Sequence, residues 1–203
     1  LTPPQTDPDP HTPCPSDRAP ERMTESISHF LDHRRPGQFH VENGIQSTNP
    51  HTLAAIRRPM DSQVAAETIR RLRMNENIHL HADLILGLPF ETRKTCAASI
   101  NAIFAMRPHY IQMGLLKLLP GTALRRQARS WGYKAVRKTP YAVLANRWMD
   151  GPTLRAHHWL GECLEQCVNN RYFPSLWHYF LALGEDEGFE DELGHADVGL
   201  LLE

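Results

Sequence analysis

Residues 79–91, His-Leu-His-Ala-Asp-Leu-Ile-Leu-Gly-Leu-Pro-Phe-Glu, constrain the fold more than any other stretch of the chain. The first eight alternate with period two. His79, His81, Asp83 and Ile85 point one way, and Leu80, Ala82, Leu84 and Leu86 the other. One face is therefore apolar and the other mostly polar and ionisable. Two histidines and an aspartate running straight into Gly-Leu-Pro fit a strand that packs on helices outside and lines a polar cavity inside.

Two similar strands flank it. Residues 39–47 place Phe39, Val41 and Ile45 on one face, with His40, Glu42, Gly44 and Gln46 on the other. Residues 109–117 place Ile111, Met113 and Leu115 opposite Tyr110, Gln112, Gly114 and Leu116. Helical spacing fills the intervals. Asn49-Pro50 offers an N-cap and a first-turn proline ahead of Leu53, Ala54 and Ile56, and Asp61 caps a second helix through Val64, Ala65, Thr68, Ile69 and Leu72. Thr92 or Glu91 opens a third through Cys96, Ile100, Ile103, Phe104 and Met106, closed by Arg107-Pro108. Pro120-Gly121-Thr122 turns into a basic helical segment ending near Gly132. Arg57, Arg58, Arg70, Arg71 and Arg73 read as a solvated face rather than a phosphate-binding patch.

Three repeats of strand then helix imply parallel strands joined by right-handed crossovers. A doubly wound sheet, buried on both faces, would read as continuous Val, Ile and Leu. Here each strand keeps a polar or small-residue face, so the expected fold is α/β, a partial (β/α) barrel over residues 37–132. In such barrels the site lies at the carboxyl ends of the strands. That end gathers Gln46-Ser47, the loop from Gly87-Leu88-Pro89 and the loop from Leu119-Pro120-Gly121.

The flanks read differently. Residues 1–36 are expected to be largely disordered. Pro, Asp, Thr and Ser dominate to about residue 22, Pro13 and Pro15 deny Cys14 a regular element, and Met23, Ile27, Phe30 and Leu31 fit one short helix. Residues 133–183 read as an α-helical extension. Tyr141, Val143, Leu144 and Trp148 fit one helix, and Leu154, Trp159, Leu160, Cys163, Leu164, Cys167 and Val168 a longer one. Leu176, Trp177, Tyr179, Phe180 and Leu181 fit a third, and residues 184–203 form an acidic tail.

A net charge of -1 over 203 residues gives no reason to expect nucleic acid or an anionic membrane as partner. No apolar run approaches a membrane span, and the start lacks the layout of a secretion signal. Cys14, Cys96, Cys163 and Cys167 have no disulfide-framework spacing, which points to a reducing cytoplasm. The chain begins on Leu1 rather than Met, which hints at a truncated or processed product.

Three segments in order carry a family resemblance: Gly-Ile-Gln-Ser-Thr-Asn-Pro at 44–50, Asp-Leu-Ile-Leu-Gly-Leu-Pro at 83–89, and Ile-Gln-Met-Gly-Leu-Leu-Lys-Leu-Leu-Pro-Gly-Thr at 111–122. Over residues 39–180 the chain resembles the C-terminal half of radical S-adenosylmethionine (radical SAM) enzymes. It is most similar to the subgroup with an N-terminal cobalamin-binding domain and an uncharacterised C-terminal domain. The resemblance implies that the three strands correspond to strands four to six of a six-stranded partial barrel. It implies S-adenosylmethionine as cofactor, with cobalamin in full-length relatives. By position it assigns Gln46, helped by Glu42, to the ribose and methionine, Asp83 to the ribose hydroxyls, and Ile85 and Leu116 to the adenine. The chemistry agrees, since carboxylates and amides share hydrogen bonds with vicinal hydroxyls and apolar side chains cover a purine face.

One feature of the family is missing. Its Cys-x-x-x-Cys-x-x-Cys loop, which ligates a 4Fe-4S cluster, does not occur in the 203 residues. Cys163-x-x-x-Cys167 lacks a third thiolate and reads as two buried reduced thiols one helical turn apart. The expected function is therefore that of a truncated radical SAM-like protein, keeping part of the cofactor site and inactive by itself. The alternatives are a non-catalytic binding or residual module, and a metal-dependent hydrolase built on His79-x-His81-x-Asp83. A half barrel leaves open sheet edges, so self-association or a separately encoded N-terminal half is the expected partner, beside a small-molecule substrate of unknown structure.

Overall fold

A computed structural model of the protein describes residues 14–17, 25–35, 39–58, 60–74, 78–170 and Ser175. The elements run β1 (Cys14–Asp17), α1 (Glu25–Asp32), β2 (Phe39–Gln46), α2 (Pro50–Ala55), α3 (Ser62–Arg73), β3 (Ile78–Leu86), α4 (Arg93–Met106), β4 (Tyr110–Leu115), α5 (Ala123–Gln127), β5 (Lys134–Ala135), β6 (Val143–Ala145) and α6 (Gly151–Leu164). A π-helical turn, Glu165–Asn169, extends α6. The first four strands form one parallel sheet in the order β1-β2-β3-β4, and β5 pairs antiparallel with β6.

The period-two pattern decides which face is buried. Along β3 Ile78, Leu80, Ala82, Leu84 and Leu86 are buried, while His79, His81, Asp83 and Ile85 are half-buried. The apolar face shares one core with Ala65, Ile69 and Leu72 of α3 and Cys96, Ile100, Ile103 and Met106 of α4. Each fully buried leucine or isoleucine contributes roughly 1.5–3 kcal/mol.

The helix starts follow the expected chemistry. Asn49 accepts from the His51 N–H, Asp61 from Gln63 and Val64, and Thr92 closes a capping box with Thr95. Arg107, left-handed at φ 53°, ends α4.

Three expectations need correction. Cys14–Asp17 does take a regular element, an edge strand beside β2, because an edge position tolerates Pro15 without an N–H. Tyr141, Val143, Leu144 and Trp148 do not share a helix. The Val143 N–H donates to Leu116 O (2.8 Å) and the Leu118 N–H to Tyr141 O (2.9 Å), so the backbone there is used as strand. Cys163 is exposed and Cys167 half-buried, not a buried pair. The expected helix at 176–181 and the acidic tail lie outside the described residues.

β4 ends the sheet, yet its outer edge is occupied at one rung. The Asn169 side chain accepts from the Ile111 N–H (2.9 Å) and donates to Ile111 O (2.7 Å). A side-chain amide thus takes the place of a fifth strand. No helix among the described residues is long and apolar enough to cross a membrane.

Candidate functional site

At the carboxyl ends of β2, β3 and β4 lies a cavity of about 240 Å³. Gln46, Ile85, Leu88 and Leu116 line its sheet side, Ala55, Ile56 and Arg57 come from the end of α2, and Ala123, Leu124 and Gln127 from α5. The structure therefore brings together three of the five residues named from sequence, Gln46, Ile85 and Leu116. Glu42 and Asp83 sit nearer the amino end of the sheet, Glu42 in register with His81 and Asp83 with Gln112.

The approach to Gln46 is irregular for a reason. Between Asn43 and Gln46 the β2–β3 register slips, so Gly44 and Ile45 oppose the single residue Asp83. Gln46 then takes a left-handed φ of 68°, which turns it out of the strand. Gly44 is required by what crosses it. A Cβ there would stand 2.5 Å from Gln46 Nε2 and 3.1 Å from a guanidinium nitrogen of Arg58.

Arg57 is exposed, in line with the solvated-face expectation, while Arg58 is half-buried. Arg57, left-handed at φ 57°, reverses the chain at the end of α2, where the Arg58 N–H donates to Leu53 O at 2.9 Å. Arg57 is among the residues lining the cavity, and the Arg58 guanidinium reaches over Gly44, as does the Gln46 amide. Local spacing could not show this, because it depends on where the chain turns after the helix.

A polar network, missed in the sequence, holds the loops around the cavity. The Ser47 hydroxyl donates to the Glu91 carboxylate, Thr95 donates to its other oxygen (3.1 Å), and the Asn49 N–H donates to Ser47 Oγ (2.9 Å). Thr52 Oγ1 donates to Pro89 O (2.8 Å), and the Thr48 N–H to Ser99 Oγ (3.0 Å). Burial pushes the Glu91 carboxyl up from its ordinary value, while hydrogen bonds from Ser47, Thr95 and Thr52 pull it back. Burial, with Glu91 beside it, also raises the Cys96 thiol and keeps it protonated. On the other side, residues flanking the β5–β6 pair hold the Gly87 carbonyl, which accepts from Tyr133 Oη (2.9 Å) and Asn146 Nδ2 (3.0 Å).

The amino half of the same sheet face carries a stack of rings. His40–His79, His79–His81 and His79–His109 lie 5.1, 4.9 and 5.3 Å apart by ring centroids, and His81 stacks on Tyr110 at 4.6 Å. Burial first, then His79 and His40, bring His81 down to about 4. The Tyr110 hydroxyl donates to Glu165, and burial together with that carboxylate pushes the phenol up to about 12. The expectation of a hydrolase centre on His79, His81 and Asp83 is not met: the rings pack on one another, and among the described residues no three His, Cys, Asp or Glu side chains can hold a metal ion.

No known protein-family profile matches the sequence. An uncharacterised protein of Sinorhizobium fredii is 35% identical over 72 residues, which is 34% of this chain and 26% of that protein. Among solved structures the chain is similar to Escherichia coli coproporphyrinogen III oxidase (HemN), a radical SAM enzyme, with TM-score 0.57 and 15% identity over 78% of this chain and 33% of that one. It is also similar to the radical S-adenosylmethionine methyltransferase TsrM of Kitasatospora setae, solved with tryptophan substrate and a SAM analogue. There the TM-score is 0.51 and the identity 17% over 63% of this chain and 26% of that one. The same methyltransferase with cobalamin and a [4Fe-4S] cluster gives a TM-score of 0.50. The chain thus spans a third or less of each of these proteins. These likenesses show a radical SAM-like fold.

Proposed function

We propose that the cavity at the carboxyl ends of β2, β3 and β4 binds the adenosyl part of S-adenosylmethionine. One observation carries this: Gln46, Ile85 and Leu116, three of the five residues that the family resemblance assigns to the cofactor, line one cavity at the ends of β2, β3 and β4. Its volume of about 240 Å³ lies below the usual range for drug-sized ligands and suits a small ligand or one part of a larger one. Ile85, Leu88 and Leu116 give apolar cover for a purine, and Gln46 offers a donor and an acceptor to ribose hydroxyls. Asp83 and Glu42 extend the hydrogen-bonding surface along the lumen face. Arg57 and Arg58 place two permanent cations at the rim, where the carboxylate of the methionine part would be held.

On this reading the chain supplies strands four to six of the barrel in the cobalamin-associated subgroup. A bound 4Fe-4S cluster would supply the electron that cleaves S-adenosylmethionine. The residues here do not fit a cluster, because the cysteine triplet is missing and Cys163 and Cys167 stand on α6 and its π-helical extension, away from the strand ends. Binding, orientation and exclusion of water are what this chain contributes. Cleavage would need thiolates from a separately encoded N-terminal half, and without them the chain is a binding module.

The test is titration calorimetry of the purified chain with S-adenosylmethionine and S-adenosylhomocysteine. Saturable binding that Leu116→Trp abolishes, with the fold intact by circular dichroism, is the expected result. No saturation at about 1 mM ligand, roughly -4 kcal/mol of affinity, would end the proposal.

A further inference from the structure

The amino end of the β3–β4 pairing is closed by a side chain rather than by the ladder. The His109 N–H donates to Leu80 O at 3.0 Å, and the Leu80 N–H donates to the His109 ring at Nδ1, 3.1 Å away. In the register that pairs His81 with Tyr110 and Ala82 with Ile111, the ladder acceptor for the Leu80 N–H would be the Pro108 carbonyl, one residue before His109. Pro108 directly follows the left-handed Arg107 (φ 53°) and lies ahead of β4, so its carbonyl is not part of the paired register. The imidazole fills the vacancy, and it can do so only while Nδ1 carries a lone pair and the proton sits on Nε2.

We propose that His109 is an acid-sensitive clasp on the sheet, closed when its ring is neutral and open when Nδ1 takes a proton from solvent. Protonation turns Nδ1 into a second N–H. The Leu80 N–H then faces a donor and loses its acceptor in a half-buried place. The surroundings set how readily this happens. His79 stacks on His109 at 5.3 Å and 24°, and His79 in turn contacts His40 from β2 and His81 from β3. A charge on any of these four rings opposes charge on the others. Arg107, two residues upstream, adds a fixed cation, while the C-terminal end of α4 favours the imidazolium. Among the described residues the carboxylates on this face include Glu42 and Asp83 farther along the strands and Glu165, which is engaged with Tyr110. Opening would release the first rung between β3 and β4 and free the ring stack that depends on it, while the rungs toward the carboxyl ends keep the cavity formed.

Amide hydrogen exchange by NMR on the full chain tests this directly. After correction for intrinsic exchange, protection at Leu80 is expected to fall about tenfold per pH unit below the ring's midpoint, between pH 7.5 and 5, while Leu84 keeps its protection. In His109→Asn the amide oxygen can accept from Leu80 without titrating, so that fall should vanish. Leu80 protection that tracks Leu84 across the range, or an unchanged fall in His109→Asn, overturns the clasp. Should that variant not fold, the tautomer of His109 in the wild-type chain decides: imidazole nitrogen shifts must place the neutral ring's proton on Nε2, and a proton on Nδ1 refutes it.

Discussion

Gln46 and Arg58 both reach over Gly44, and their side-chain nitrogens crowd the space that any Cβ at residue 44 would need, at 2.5 and 3.1 Å. That juxtaposition ties the end of β2 to the turn after α2, and it makes a glycine part of the site without contacting any ligand. Gly44→Ala should displace the flexible Gln46 amide rather than the backbone. Thermal stability is then expected to change by less than about 1 kcal/mol, while affinity for S-adenosylmethionine falls about tenfold, the worth of one hydrogen bond. Calorimetry and thermal melts on the same preparation separate the two. A large stability loss with unchanged affinity would contradict the placement.

Glu91 carries a different kind of prediction. Burial is the largest influence and raises its folded-state value above that of the unfolded chain. The native state therefore holds the proton more tightly, and its contribution is fully present below the ordinary glutamate value and lost as pH rises through the raised one. Glu91→Gln keeps acceptors for Ser47 and Thr95 and should flatten that dependence, staying within about 1 kcal/mol of wild type at neutral pH. Glu91→Ala, which strands two hydroxyls, should cost about 2–3 kcal/mol. Urea unfolding from pH 4.5 to 8 gives both numbers, and a Gln variant as damaged as the Ala variant would argue against the buried-carboxyl account.

His81 shows the opposite sign. Its folded value is lowered from 6.5 to about 4, chiefly by burial. The stability it contributes is present above pH 6.5 and is lost as pH falls toward 4. NMR titration of the imidazole should give a midpoint near 4, and His81→Phe, which keeps a ring against Tyr110, should remove part of the acid sensitivity. A midpoint near 6.5 would show that the ring is not desolvated in solution.

Asn169 guards the edge of β4 through Ile111. Asn169→Ala should cost about 1–2 kcal/mol and expose one strand rung, raising concentration-dependent association on size exclusion. An Asn169→Ala chain that elutes and melts like wild type would mean that the edge is protected by other means.

Much of this architecture is legible in the sequence because it rests on neighbours. The alternation along 79–86 matches the buried and half-buried faces of β3, and Asn49, Asp61 and Thr92 cap the helices they precede. The β5–β6 pair was not legible. Tyr141, Val143, Leu144 and Trp148 have helical spacing, but Leu116 and Leu118 capture that backbone from 25 or so residues away. Glu91 looked like a helix-start residue, and its role appears only with Ser47 folded against it.

Local pattern alone thus determined the parallel strand-helix order, the polar face of the strands and the end at which a site would lie, because period, caps and turns depend on residues a few positions apart. Tertiary structure decided which residues meet: the bulge that turns Gln46 aside, the arginine over Gly44, the buried Glu91 and the imidazole against Leu80. Those depend on through-space approach between segments separated by tens of residues and on the water that packing removes, and neither quantity is written in the spacing of the chain.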